Sequence, residues 1–169
     1  MPCVNLTMTK GGLPPATLRS LVRELVDAIN ELDGTPRTRT VRRAITSARV
    51  IEIEPDHFFI GGEVANLPRY ELEFVTFHNV LDAKAKQALV ERATELIRVA
   101  EGRRLFDEDQ RIWCFFREVV DGDWASDGRI YKSRDVVRWM ARQVREKRTC
   151  PPAKSPPVQM KVLDPQGVG

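Results

Sequence analysis

The sequence predicts an α+β fold, a two-layer α/β sandwich in which a four-stranded sheet carries two helices on one face and is followed by a C-terminal helix. Two observations predict this fold. A strand–helix–strand order occurs twice along the chain, and in each unit one crossover helix joins two strands, which favours their parallel pairing. The 169 residues are 42% hydrophobic and 30% charged, which is typical of a globular domain that forms a core without disulfides.

The first β-α-β unit is expected over about residues 2–62. Polar and apolar residues alternate over residues 2–8, which indicates a strand. A helix is expected over about 14–33, because apolar residues recur there at helical spacing and a glycine follows. The stretch RVIEIE alternates again, so Val4 and Ile51 are predicted to lie in one sheet.

The second β-α-β unit is expected over about residues 69–130. The stretches YELEFVTFH and RIWCFFREV are its predicted strands. A helix is expected over about 82–101, because Asp82 is a suitable N-cap and Gly102 can end the helix. The two units show no sequence identity that would indicate a repeat.

The C-terminal part of the chain predicts one more helix and a tail. An amphipathic pattern over 133–148 indicates a helix that completes a domain of residues 1–148. Residues 149–169 are rich in proline, and we expect them to be disordered or draped on the surface.

The strand RIWCFFREV has apolar residues on both faces. Ile112, Cys114 and Phe116 point to one face, whereas Trp113 and Phe115 point to the other. Two helices cover only one face of a four-stranded sheet, so the other apolar face needs a further partner. The sequence therefore predicts an oligomer.

The composition argues against several classes of protein. The net charge is +3, with 27 basic and 24 acidic residues, which does not suggest a nucleic-acid or membrane partner. No apolar stretch approaches the length of a membrane span, and the start lacks the pattern of a secretory leader. Three cysteines without CxxC spacing argue against a disulfide framework or a zinc site. We therefore expect a cytoplasmic protein with no metal and no cofactor.

Three stretches carry a resemblance to a known family: the opening MPCVNLT, the turn EPDHFFIGG and the segment WCFFREVVDGDWASDG. Together, across about residues 2–130, they resemble the tautomerase superfamily, nearest its cis-3-chloroacrylic acid dehalogenase-like and malonate semialdehyde decarboxylase-like branches. The resemblance implies a homotrimer. It also implies that Pro2, exposed by removal of Met1, acts as a general base or acid on a small 2-oxo acid or enol. Trp124 would form a wall of the proline pocket.

Elementary chemistry supports a catalytic role for Pro2. An α-amino group titrates closer to neutral pH than a lysine amine does, and burial beside Trp124 and other apolar residues would lower its pKa further. A neutral amine can remove a proton from a carbon next to a carbonyl group. The proline ring also fixes φ, which holds the amine on a rigid strand end. Alternatively, a proline at this position is ordinary chance.

Several family positions hold different residues in this chain. The carboxylate-binding arginine near the second helix falls at Asn79, the third-strand tyrosine falls at Phe115 and the water-activating glutamate falls at Ser126. Three further positions of the family pattern also hold other residues in this chain: Ile29, Arg39 and, depending on the branch, Leu81 or Asp82. We therefore expect weak keto–enol tautomerase (isomerase) activity in preference to hydratase, dehalogenase or decarboxylase activity.

Other residues are candidates to replace these groups. Asp127 is a candidate catalytic acid or base, although aspartate also commonly shapes a turn. The candidate substrate-binding residues for a small carboxylate are Arg39, Arg42, Arg43, Asn79, Phe115, Arg117 and Trp124. A guanidinium can hold a carboxylate in bidentate fashion, but each of these arginines could equally be a solvated surface charge.

Two other functions stay open on the sequence alone. A catalytically silent trimer could act as a binding or interaction module, which the missing family arginines favour. Nucleic-acid binding through the segment RTRTVRR and the basic helix at 134–148 is disfavoured by the modest net charge and by the lack of aromatic residues in that segment.

Overall fold

The structure is a computed structural model that describes residues 2–32, 43–102 and 110–149, with side chains as far as Arg142. In chain order its elements are β1 (Cys3–Thr9), α1 (Pro15–Leu32), β2 (Ser47–Ile53), β3 (Phe59–Ile60), β4 (Glu63–Val64), β5 (Tyr70–Phe77), α2 (Ala83–Ala100), β6 (Ile112–Val119), β7 (Trp124–Ser126), β8 (Arg129–Tyr131) and α3 (Ser133–Thr149).

The main sheet has four strands in the order β2-β1-β5-β6. β1 pairs with β2 in parallel and β5 pairs with β6 in parallel, while the two central strands are antiparallel to each other. Val4 pairs with Ala48 and Thr7 pairs with Ile51, so Val4 and Ile51 share this sheet. The predicted α+β class and the double β-α-β arrangement are confirmed.

The core lies between this sheet and the two helices α1 and α2. Alternate residues of β1 and β5 are buried on the helix side, and α1 packs against α2. The largest of the fully buried side chains are Leu6, Met8, Leu25, Ile29, Tyr70, Leu72, Phe74, Leu89 and Ile97. Because side chains alternate along a strand, only the helix-facing side of β1 and β5 had to be apolar.

Both helices of the core follow the expected ranges closely. α1 begins at Pro15, a residue whose fixed φ suits the first turn of a helix. α2 begins after Asp82, whose side chain accepts a hydrogen bond from the backbone N–H of Ala85 at 2.7 Å. Asp82 is therefore the N-cap that the sequence predicted.

α3 packs at one end of the sheet, away from the main core. Val136 and Met140 are buried against Phe77, the last residue of β5. Ile45, Trp124 and Tyr131 pack around the same three side chains. These residues form a second, smaller hydrophobic cluster, which we call the end cluster.

Two short hairpins extend from the main sheet. The stretch EPDHFFIGG forms a 3₁₀ turn over Pro55–His57, then β3 and the turn of the β3–β4 hairpin. The stretch GDWASDG forms most of the β7–β8 hairpin, which turns at Asp127 and Gly128 with φ values of 50° and 74°. Positive φ at both positions is the geometry of a tight hairpin turn, in which aspartate followed by glycine is favoured.

No described helix or strand covers the face of the sheet opposite α1 and α2, and we call it the outer face. Ile51, Trp113 and Phe115 lie on it and are 51%, 41% and 49% exposed. The predicted two-faced character of RIWCFFREV is thus observed in β6.

Two segments for which the sequence gives predictions lie outside the described residues. They are the arginine-rich segment before Arg43 and the proline-rich tail from residue 150 onward. Within the parts of the chain that are described, no helix is both long enough and apolar enough to cross a membrane.

Candidate functional site

A cavity of about 360 Å³ lies beside the end cluster. Its lining residues come from three places in the sequence, namely the segment before β2, the β7–β8 hairpin and α3: Ala44, Ile45, Trp124, Ser126, Asp127, Tyr131, Val136 and Trp139. The cavity is thus mainly aromatic and aliphatic with a few polar groups, which is the usual composition of a small-molecule pocket. We call it the aromatic cavity.

Trp124 holds one wall of this cavity through contacts on two sides. Its indole meets the ring of Phe77 edge-on with centroids 5.7 Å apart. The ring of Tyr131, its cross-strand partner in the β7–β8 hairpin, lies 5.2 Å away on a tilted plane. Because the hairpin fixes both aromatic residues, the wall is preorganised by local structure.

Asp127 lies at the tip of this hairpin and lines the same cavity. Its Oδ2 accepts a hydrogen bond from the hydroxyl of Ser126 at 3.2 Å. The carboxylate is exposed to solvent. The structure therefore brings together two of the predicted residues, Trp124 and Asp127.

Pro2 lies at the same end of the sheet as this cavity. Its carbonyl oxygen accepts a hydrogen bond from the backbone N–H of Ser47 at 3.2 Å, and the cavity-lining Ile45 comes two residues before Ser47. On its other side, β1 pairs with β5 through Cys3 and Val75, so the register places Pro2 opposite Thr76. Phe77, the neighbour of Thr76, is the residue that contacts Trp124. Pro2 itself is half-buried.

Arg43, a predicted substrate-binding residue, is engaged by α1. Its Nε and one terminal nitrogen donate to the two carboxylate oxygens of the buried Asp27, at 2.7 and 2.5 Å. Thr46 donates to the amide oxygen of Asn30 at 2.9 Å and adds a second link to the same helix. Arg39 and Arg42 lie outside the described residues.

Arg117 and Phe115 lie on the outer face and not among the residues that line the aromatic cavity. Arg117 forms an ion pair with Glu73 at 2.7 Å. Glu73 also accepts from the amide of Asn5 at 2.6 Å, and Asn5 in turn accepts from Arg49 at 3.1 Å. This polar ladder crosses all four strands of the sheet, and Phe115 lines a shallow hollow beside it.

Asn79 adopts a left-handed conformation, with φ of 59°, in the loop between β5 and α2. Its backbone N–H donates to Glu118 at 3.4 Å. Glu118 also accepts from Lys86 at 2.5 Å and pairs with Nδ1 of His78 at 2.6 Å. The hydrogen bond from Lys86 is the main reason that the pKa of Glu118 is lowered.

Five residues that line the aromatic cavity were not predicted as site residues: Ala44, Ile45, Tyr131, Val136 and Trp139. Tyr131 could have been found, because a two-residue turn at Asp127 and Gly128 pairs it with Trp124. Trp139 lies three residues after Val136 on α3, so helical spacing places it next to the buried side of this helix. Ile45 carries no such local signal.

Comparison with known proteins gives a structural likeness only. No protein-family model and no curated protein matches this chain. Among solved structures, it is similar to N1, a member of the cis-3-chloroacrylic acid dehalogenase family, with a TM-score of 0.65, 12% identity, and coverage of 87% of this chain and 98% of that chain.

Two further structures show the same likeness. Pt0534, solved after inactivation by 2-oxo-3-pentynoate, has a TM-score of 0.63 at 15% identity and covers 79% of this chain and 98% of its own. A fused wild-type 4-OT, described as a symmetric trimer, has a TM-score of 0.61 at 17% identity and covers 76% of this chain and 94% of its own. Strand order, pairing and these neighbours agree: the chain has the fold of the tautomerase superfamily.

Proposed function

We propose that the protein is a cytoplasmic tautomerase that uses Pro2, after removal of Met1, as a general base and acid on a small 2-oxo acid or its enol. The observation that carries this proposal is the position of Pro2. It immediately precedes β1, a central strand of the sheet, at the end where Trp124, Tyr131 and Asp127 line a cavity. The inactivation of a protein of the same fold by 2-oxo-3-pentynoate, an acetylenic 2-oxo acid, supports this class of substrate.

The proposed reaction is a proton transfer in two steps. The neutral amine of Pro2 removes a proton from the carbon next to the carbonyl group, and the electron pair of the C–H bond moves through the new C=C bond to the carbonyl oxygen. The resulting enolate takes a proton on oxygen and becomes the enol. In the reverse direction, the protonated Pro2 returns the proton to carbon. Asp127 is the cavity-lining carboxylate that could exchange a proton with the enol oxygen.

The carboxylate of such a substrate also needs a binding group. No cationic side chain is among the cavity-lining residues that the structure describes. Arg43 is engaged with Asp27 and Arg117 is engaged with Glu73 in the single chain. Arg39 and Arg42 therefore remain the leading candidates for this role.

The proposed assembly is a homotrimer. Two observations support it: the neighbouring fused 4-OT structure is described as a trimer, and the outer face exposes Trp113 and Phe115. In a trimer, Arg117, Asn79 or an arginine of the segment before Arg43 could reach the cavity of a neighbouring subunit.

The proposal is tested by comparing three proteins in the ketonisation of phenylenolpyruvate. They are the processed wild type, Pro2→Ala, and a chain that carries one extra residue before Pro2. Intact mass establishes which N-terminus each protein has. We expect the ketonisation rate of both altered proteins to be about 10²–10⁴-fold lower than that of the wild type, as is typical for loss of a general base. Equal rates for all three, or no rate above that of buffer, would contradict the proposal.

A second test labels Pro2 chemically. The amine of Pro2 can add to the triple bond of 2-oxo-3-pentynoate, forming a C–N bond while its proton moves to the neighbouring carbon. The protein should therefore gain the whole mass of the reagent, and peptide mapping should place it on the N-terminal peptide. Labelling only at Cys3 or Cys114 would contradict the proposal, and Pro2→Ala is the control.

A catalytically silent trimer that acts as an interaction module is the second candidate. The observation that favours it is the combination of an apolar outer face with Phe115 and Asn79, which lack the hydroxyl and guanidinium groups of the family pattern. A wild-type protein that is trimeric, has a free Pro2, and shows neither ketonisation nor labelling would support this alternative.

A further inference from the structure

Three arginines form a line along the exposed side of α3. Arg134, Arg138 and Arg142 are exposed and follow one another at intervals of four residues, so they share one helix face. Adjacent members are about 6 Å apart along the helix axis, given a rise of about 1.5 Å per residue. We call this line the arginine stripe. Val136 and Met140, on the opposite side of α3, are buried in the end cluster.

The acidic residues near the arginine stripe are already engaged at the start of α3. Asp135 is the one acidic residue between Arg129 and Arg142, and its side chain accepts from the backbone N–H of Lys132 at 3.1 Å. Asp121 accepts from the backbone N–H of Ser133 at 2.7 Å, which lowers its pKa.

Within the part of the chain whose side chains are described, which ends at Arg142, no carboxylate lies within ion-pair distance of Arg138 or Arg142. Arg129 and Lys132 are also exposed nearby in sequence and extend the positive charge toward the β7–β8 hairpin. This surface therefore attracts an anionic partner.

Trp139 adds an aromatic surface at the edge of the arginine stripe. It is 42% exposed, and it lies three residues before Arg142, which makes the two side chains neighbours on the helix. A tryptophan that is partly exposed among arginines offers a face on which a base can stack. Duplex nucleic acid keeps its bases stacked on one another, whereas a single strand can present them singly.

We propose that the arginine stripe and Trp139 bind single-stranded nucleic acid, with the guanidinium groups on successive phosphates and one base on Trp139. The net charge of +3 argued against such a partner. That value sums the charges of the whole chain, however, and does not reflect the concentration of arginines on one face of α3. An anionic membrane is the less suitable partner, because insertion of an amphipathic helix needs a free apolar face and Val136 and Met140 are buried.

The test measures binding of a fluorescein-labelled single-stranded oligonucleotide, longer than about 16 nucleotides, by anisotropy between about 50 and 200 mM salt. The test variant is Arg138→Gln/Arg142→Gln. The matched control is Arg19→Gln/Arg23→Gln, which removes two exposed arginines of the same spacing from α1, where Glu24 is adjacent. Circular dichroism and thermal unfolding establish that every variant is folded.

We expect salt-dependent binding by the wild type and by the control. The test variant should bind more weakly, and the slope of log K against log salt should fall in magnitude by about 1.4, because each phosphate contact to a single strand contributes about 0.7. Trp139→Leu should weaken binding at least about fivefold, the lower limit for base stacking on an aromatic side chain.

Other outcomes overturn the proposal. Absence of binding, or an equal loss in the test variant and the control, would show that the arginine stripe is not the site. Equal affinity for a duplex, for heparin or for phosphatidylserine vesicles would show a general attraction to polyanions. Pro2→Ala should bind the oligonucleotide as the wild type does, so this proposal can fail or succeed independently of the proposed enzymatic function.

Discussion

Arg111 immediately precedes β6, and its guanidinium is buried against Glu101. Two of its nitrogens donate to the two carboxylate oxygens of Glu101 at 2.9 and 2.8 Å, and one of them also donates to the carbonyl oxygen of Pro68 at 2.9 Å. The two side chains are 2% and 6% exposed. Arg117, near the other end of the same strand, is 69% exposed in its ion pair with Glu73. The two pairs thus differ mainly in burial.

This difference predicts unequal effects on stability. We expect Arg111→Met to lower the free energy of unfolding by about 3–5 kcal/mol, because it takes the guanidinium of Arg111 away from the buried charge of Glu101. Arg117→Met should change it by no more than about 1 kcal/mol, because water screens the exposed pair. Urea unfolding at pH 7 measures both. Equal losses in the two variants would show that burial does not control how much these ion pairs contribute to the free energy of unfolding.

Glu118 connects two elements, since it lies on β6 and binds groups at the start of α2. Lys86 is on the first turn of α2, and His78 and Asn79 lie in the loop that leads to it. The pKa of Glu118 is lowered from its ordinary value of 4.5, first by the hydrogen bond from Lys86 and then by that from the backbone of Asn79. A carboxylate with a lowered pKa in the folded state stabilises that state only while it is ionised.

Stability should therefore fall in acid partly through Glu118. Its contribution is present above pH 4.5 and is lost as the pH falls through the lowered folded-state value. We expect Glu118→Gln to be less stable than the wild type at pH 7 and the difference to shrink below pH 4.5. Urea midpoints measured from pH 7 to pH 3 test this, with Glu91→Gln on α2 as the control. A difference that stays constant with pH would contradict the assignment.

The elements of the fold were predictable to different degrees. Alternation in β1 and β5 and helical spacing in α1 and α2 are local signals, and they gave both the elements and their buried faces. The hairpins were not predicted, because β3, β4, β7 and β8 have only two or three residues each and show no periodicity. Their glycine-containing turns were the available signal.

The candidate site was predictable only in part for a similar reason. Trp124 and Asp127 were identified from one short motif, and they do line one cavity. Alternation placed Phe115 and Arg117 on one face of β6, but it could not tell where along the sheet a cavity would form. That position depends on the packing of α3 against Phe77, a contact between distant parts of the chain.

At the scale of the whole molecule, the outer face combines exposed apolar side chains with the polar ladder from Arg117 to Arg49. Trp113 and Phe115 contact each other edge-on with ring centroids 6.5 Å apart. A monomer that kept this sheet face in water would expose the Trp113–Phe115 pair, and exposed apolar groups of this kind often mark an interaction surface.

If the proposed trimer uses this face, a charge placed on it should separate the subunits. We expect Phe115→Glu to elute as a monomer in size-exclusion chromatography with light scattering, because the new carboxylate would be buried in the interface. Val99→Glu is the matched control, since Val99 is 54% exposed on α2 and away from the outer face. A trimer that persists in Phe115→Glu, or a monomeric wild type, would contradict this use of the outer face.

The sheet order also has a consequence for how the chain folds during synthesis. Cys3 on β1 pairs with Ser47 on one side and with Val75 on the other, so every pairing of the main sheet joins distant parts of the chain. Such pairings form slowly, whereas α1 can form within microseconds. At a synthesis rate of about 5–20 residues per second, β5 is made roughly one to five seconds after β2. During that interval the first β-α-β unit carries β1 with an open edge, which makes it a stage of biogenesis at which a ribosome-bound chaperone can protect the chain.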